Sequence, residues 1–294
     1  MKAKRETSAD RVFHIFCYLF LLLILVIIII PLANLLAISF SSSSPVMKGE
    51  IRLLPQGFHT SAYQLVFSSG LFYTALGNTA FVTVMGTLIS VVTSVFTAYA
   101  LSIRKLPGRR ALTLLFLFTM VFNGGMIPTY ILMQQLGLLN SLWGIILAGT
   151  SSVYNILILK SSFEDLPASV EEAARIDGAS RFYILFKIVL PISIPTVITI
   201  CMFYAVTYWN DYINPKLYIT QQSLLTLQTY LRSVIFDAFD PMGGYTLDTE
   251  AVQNCAPQTI INATIVAAIL PIAIVYPFLQ KYFIHGIMLG SVKE

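Results

Sequence analysis

Residues 171–191 read EEAARIDGASRFYILFKIVLP: two glutamates, a run of small and charged residues, a glycine, an aromatic and aliphatic stretch, and a proline. Apolar blocks long enough to span a bilayer flank it on both sides, so a short polar segment is held between two hydrophobic spans. Its own chemistry says helix. Ser169 followed three residues later by Glu172 matches a capping box, in which hydroxyl and carboxylate satisfy the free amides of a helix start, and Pro167 fits just before it. Glu171, Glu172, Ala173, Ala174, Arg175 and Ile176 favour the helix, and Gly178 is placed to end it. A second helical stretch begins at Ser180, carries Phe182, Tyr183, Leu185 and Phe186, and runs into Leu190-Pro191. The two alanines let another surface approach closely, and the flanking charges would orient the helix in a groove. On these residues alone, a capped and solvated loop helix fits equally well.

The rest of the chain fixes the setting. Of its 294 residues 56% are hydrophobic and only 11% charged, against about 25% charged in a typical soluble protein. Lipid is therefore the expected solvent. Cys17 and Cys201 lie inside apolar runs and Cys255 outside them. Such a scattered, odd set makes neither a disulfide framework nor a CxxC metal site, and a packing role is expected for all three.

Six segments are apolar and long enough to cross a membrane: approximately 12–40, 71–102, 111–133, 144–162, 191–211 and 258–280. Helices are expected, because every backbone amide in lipid must be bonded within its own segment. The first follows a basic start (KAKR), but its apolar core far exceeds the ~7–15 residues of a secretory signal, so a retained span is expected. The layout is a tail over 1–11, a six-helix domain over 12–280 with a polar loop at 163–190 and a long loop at 212–257, and a second tail over 281–294.

Basic residues orient this layout. The first tail, the RKLPGRR turn, the 163–190 loop with its flanking Lys160, and the second tail hold 14 of the 18 Lys and Arg; the opposite face has only Lys48, Arg52, Lys216 and Arg232. The positive-inside rule then puts both termini in the cytoplasm. The outer connections are 41–70, a turn near QQLGLLNS, and 212–257, which carries Asp237, Asp240, Asp248 and Glu250. They read either as a docking surface or as plain solvated loops. Prolines at 128, 191, 195, 271 and 277 sit in or beside spans, where they free carbonyls and allow bends.

Catalytic signatures are missing from the sequence. It holds no GxxxxGK[ST] phosphate loop and no Gly-Lys pair, and His14, His59 and His285 are far apart without HExxH. No GxSxG elbow occurs either. No catalytic residue, metal site or bound cofactor is expected.

Polar and aromatic residues inside spans are candidates for a passage, since intramembrane polar groups usually face the bundle interior. These are Asn123, Tyr154, Asn155, Tyr204, Tyr208, Trp209 and Asn210. Packing, or a place in the interfacial aromatic belt, accounts for several of them just as well.

The spacing Glu172-Ala173-Ala174, Gly178, Ile188, Leu190-Pro191, together with Asp177-Gly178-Ala179, resembles the EAA loop of ABC-importer permeases in their carbohydrate-uptake branch. TAYALSIRKLPGRR (97–110), NGGMIPTYILMQQLGLLNSLWGIIL (123–147) and ILPIAIVYPFLQKYFIHGIMLGSVKE (269–294) extend the likeness over nearly the whole chain. They resemble the MalG-like half of the permease pair, in particular the LplC- and YtcP-type permeases for complex oligosaccharides. The resemblance implies an all-α, six-span type I importer fold in a bacterial cell membrane. It implies a second, MalF-like permease, two copies of a cytoplasmic ATPase that uses ATP and magnesium, an extracellular solute-binding lipoprotein and a carbohydrate substrate, with lipid around the chain and no nucleic acid. Glu172, Ala173, Ala174, Asp177, Gly178, Ile188, Leu190 and Pro191 would then couple to the ATPase, and Gly286, Gly290 and Lys293 of the tail would touch it. A permease for another solute class and an integral-membrane enzyme are the alternatives.

Overall fold

The computed structural model describes residues 8–122, 124–239 and 255–291, and all regular structure among them is helical. In chain order these are α1 (Ser8–Ser39), α2 (Ser43–Met47), α3 (Ser61–Ser68), α4 (Gly70–Ser102), α5 (Arg109–Val121), α6 (Met126–Gln135), α7 (Leu142–Gly149) and α8 (Val153–Glu164). There follow α9 (Ala168–Ile176), α10 (Arg181–Ile184), a π-helical turn (Leu185–Val189), α11 (Leu190–Ile192), α12 (Ile194–Asn210), α13 (Ile213–Tyr218), a 3-10 turn (Gln222–Leu224), α14 (Leu227–Phe239) and α15 (Pro257–Ser291).

Three helices are long and apolar enough to cross a membrane by themselves: Asp10–Ser39, Gly70–Ser102 and Pro257–Val275. The number reaches six only if the pairs α5 with α6, α7 with α8, and Arg181–Ile192 with α12 each count as one bent span. Of the six spans expected from hydropathy, the first, second and sixth are single helices, the third and fourth are interrupted, and the fifth is preceded by a bend near its start. Hydropathy averages over a window and cannot register a few residues whose backbone leaves the helix. Gly125 has φ +91°, which only glycine adopts without strain, and it starts α6. Ser152 is extended (φ −110°, ψ 110°) and caps α8 with its hydroxyl, giving a 49° bend.

The fifth break corrects a second expectation. Pro191 does not close the loop: the helix runs through it to Ile192 and turns at Ser193, by 84°. A proline ring normally clashes with the carbonyl four residues earlier. Here the preceding π-helical turn widens the backbone, and the next break falls where Pro195 opens α12.

The chain divides into two compact units. In the first, residues up to 69 and 233–270 build a small knot beyond α1. Phe40 stacks on Phe58 and tilts against Tyr63, with centroids 5.4 and 4.7 Å apart. The Ser42 and His59 amides donate to the Gln56 and Phe40 carbonyls, and the Asn34 amide donates to the Ile51 and Arg52 carbonyls. Cys255 is buried with Sγ 3.1 Å from the Ser61 hydroxyl. The 41–70 segment is thus not a bare loop, because α2 and α3 are folded within it.

The second unit (70–232, 271–294) packs α4 against α12, α8 and α7. Ala98, Ile145, Ile146, Leu159, Ile184 and Ile200 are fully buried at its centre. Hydrogen bonds tie its ends. Thr79 Oγ1 accepts from the Leu227 amide at 2.7 Å, while Asn78 donates to the Ser223 and Leu225 carbonyls. Asn140, the one described non-glycine residue with positive φ (53°), accepts from the Thr220 amide and hydroxyl and from the Gln221 amide.

Candidate functional sites: the polar loop and a cavity at a helix break

The loop helix is α9, and it starts two residues earlier than the capping box requires. Pro167 is the N-cap and no side chain caps the helix. Having started at Ala168, the helix places Ser169 inside its first turn, and the Val170 amide takes the Pro167 carbonyl instead. The end matches expectation. Gly178 has φ +79°, its amide bonds the Arg175 carbonyl, and the Ala179 amide bonds that of Ala174 at 2.9 Å. These are the two bonds of a Schellman ending. Ser180 then caps α10 by accepting from the Tyr183 amide.

This geometry gives α9 two faces. Glu171 and Ala174 are half-buried one turn apart, with Ala174 packed on the core. Glu171 accepts from Arg175 at 2.9 Å and from the Tyr99 hydroxyl of α4 at 3.5 Å. Glu172, Ala173, Ile176, Asp177 and Gly178 face outward, Ile176 being 86% exposed. Ile188 and Leu190 are half-buried against the core, and Pro191 is exposed. A cleft of about 440 Å³ runs beside α9, with Arg104, Lys105, Glu164, Glu172 and Arg175 on its walls. Arg109 bonds the Leu101 carbonyl and pairs with Glu164, which also holds Lys160. Glu171, the helix's inward anchor, and Ile176, its exposed apolar tip, show in the sequence only as helix formers; the latter could be found as an isolated branched apolar residue amid charges.

The seven passage candidates separate. Asn123 lies outside the described residues. Tyr154, Asn155 and Tyr204 line one cavity of about 580 Å³, with Gly149, Ser152, Met202, Phe203, Val206 and Thr207. Tyr204 belongs mainly to the wall: its hydroxyl lies 2.7 Å from Ser94 Oγ and accepts from the Ser152 amide. Tyr208 is 3% exposed and wedged between Gly86 and Gly149, donating to the Ile146 carbonyl and bonded to Ser90. Trp209 is half-buried, and exposed Asn210 donates to the Val206 carbonyl of its own helix. Of the tail residues, Gly286 and Gly290 fall within α15 and Lys293 lies outside the described residues, as do Asp240, Asp248 and Glu250. Among the described residues no cluster of His, Cys, Asp or Glu could hold a metal ion.

The loop helix thus presents Glu172, Ala173, Ile176, Asp177 and Gly178 outward beside a bundle of apolar helices, several of them broken. Residues 90–288 match the family described as binding-protein-dependent transport system inner membrane component, and the chain belongs to that family of membrane permeases. Over its length it is 42% identical to the polygalacturonan/rhamnogalacturonan transport system permease protein YtcP of Bacillus subtilis, covering 97% of this chain and 99% of that one. Protein LplC of the same organism is 40% identical, covering 98% and 97%. Among solved structures, a chain of a bacterial ABC transporter involved in the import of the acidic polysaccharide alginate superposes with TM-score 0.87 at 35% identity, covering 96% of this chain and all of that one. A second alginate transporter chain, 14% identical with TM-score 0.63, shares the fold.

Proposed function

We propose that this chain is one permease of an ATP-driven importer for an oligosaccharide rich in uronic acids. It lies in a bacterial cell membrane with both termini inside. A second, MalF-like permease completes the passage, two ATPase subunits supply the energy, and an extracellular binding lipoprotein delivers the sugar. The observation that carries the substrate class is the full-length likeness to two permeases named for acidic polymers, a polygalacturonan and alginate. Both polymers present ring carboxylates.

Coupling runs through α9. Its outward face offers small Ala173, the glycine ending and the Ile176 tip to an ATPase cleft, with Glu172 as a polar contact at the rim. The inward face, through Ala174 and the Glu171 bond to Tyr99, carries the ATPase's movement into α4. Rigid-body rocking of the bundle then exposes the passage to one side and afterwards to the other.

Uptake into vesicles containing the full assembly tests the substrate. A trigalacturonate supplied with the cognate lipoprotein is expected to accumulate with ATP and to stimulate hydrolysis, whereas a neutral trisaccharide, phosphate and amino acids are not. Stimulation by an amino acid or phosphate in place of the sugar would overturn the reading.

A further inference from the structure

The cavity at the α7/α8 break has a polar end that packing leaves unused. α8 is 12 residues long and begins there. The Ser152 hydroxyl and carbonyl accept the Asn155 and Ile156 amides, so the Val153 and Tyr154 amides are the open donors of that first turn. An unbonded helix start carries roughly half a positive charge. Asn155 is 5% exposed and lines the cavity, yet its side-chain amide bonds no other described residue. The amide is not sealed off from the cavity, so it can donate to whatever fills that space. Irregular backbone inside a membrane span is tolerated where it lines such a cavity. Met202, Phe203 and Val206 form an apolar wall opposite, suited to the CH face of a sugar ring. None of the described residues lining the cavity is charged.

We propose that the start of α8, through its open amides and the Asn155 side chain, is a subsite for the carboxylate of a uronic acid ring during passage. The assignment rests on the uronate reading above. Neutral donors and a helix dipole recognise an anion without the deep electrostatic trap that a buried Arg or Lys would set. That suits a site that must release its cargo.

The test compares uptake of trigalacturonate and its methyl ester by the complete transporter. The wild type is expected to prefer the free acid. Asn155→Asp, of nearly the same shape but anionic, is expected to lower the acid-to-ester ratio about tenfold or more, the scale of one hydrogen bond to a charged group lost. Asn155→Leu, which removes the donors without adding charge, is expected to lower the ratio by less. Each variant is compared at equal amounts of assembled complex. Wild-type preference for the ester, or equal loss of both substrates in the variants, overturns the subsite alone. A wild type that takes up neither form overturns the functional reading and this subsite with it.

Discussion

At the scale of single residues, two glycines separate two kinds of constraint. Gly178 meets nothing within 4 Å of an added Cβ, but its φ of +79° belongs to the left-handed region, where a branched side chain costs roughly 1–2 kcal/mol. Gly178→Val should unwind the end of α9 and abolish uptake while the amount of permease in the membrane stays the same; retained transport would count against coupling through this ending. Gly86 is the converse: its φ is ordinary, but an added Cβ would lie 2.6 Å from the Tyr208 ring. Gly86→Ala should therefore destabilise the complex by about 1–3 kcal/mol, and Tyr208→Leu should relieve part of that, read as non-additive shifts in detergent unfolding temperature. Composition allowed both roles for Tyr208, passage or packing. Only the contacts with Gly86, Gly149, Ser90 and the Ile146 carbonyl place it in the packing.

At the scale of elements, the helix ending was legible and the helix start was not. Gly178 and Ser180 read directly, because glycine at a left-handed position and serine at an extended one are set by local sterics. The capping box failed because Pro167, with φ already near helical values and no amide to satisfy, begins the helix two residues early. The breaks were foreshadowed by Gly125, Ser152 and Pro195 but masked by hydropathy, which counts side chains and not backbone. The Arg109–Glu164 ion pair was invisible in the sequence, because the two residues stand 55 apart. Their contact joins the ends of α4, α5 and α8 beside the loop, with both side chains only about a quarter exposed (27% and 26%). Glu164→Gln and Arg109→Met should each cost roughly 1–2 kcal/mol, more than a surface pair. Combined, they should cost clearly less than the sum. A coupling energy near zero would show that the pair holds nothing together.

At the scale of the whole molecule, the class was legible for one reason: a bilayer imposes a length and an apolar composition on anything that crosses it. Hydropathy marked the three unbroken helices and the stretches that fold as three bent pairs, and the motif spacing named the family that residues 90–288 match. Which segments break, and which polar side chains meet in one cavity, depends on contacts between Ser152 and Tyr204 or Ser94 and Tyr204 that no local pattern encodes. Orientation follows from charge and can be measured. With Cys17, Cys201 and Cys255 replaced by serine or alanine, single cysteines at Lys105, Arg181 and Lys216 sit on exposed stretches outside the long apolar helices. Since a six-span layout would put 14 of the 18 basic residues on one side, and each costs several kcal/mol to carry through lipid, the first two positions should react with a membrane-impermeant maleimide only after the cells are opened. Lys216→Cys should react in intact cells. Labelling of Arg181→Cys from outside would invert the topology, move α9 away from any cytoplasmic ATPase, and remove the basis for coupling through it.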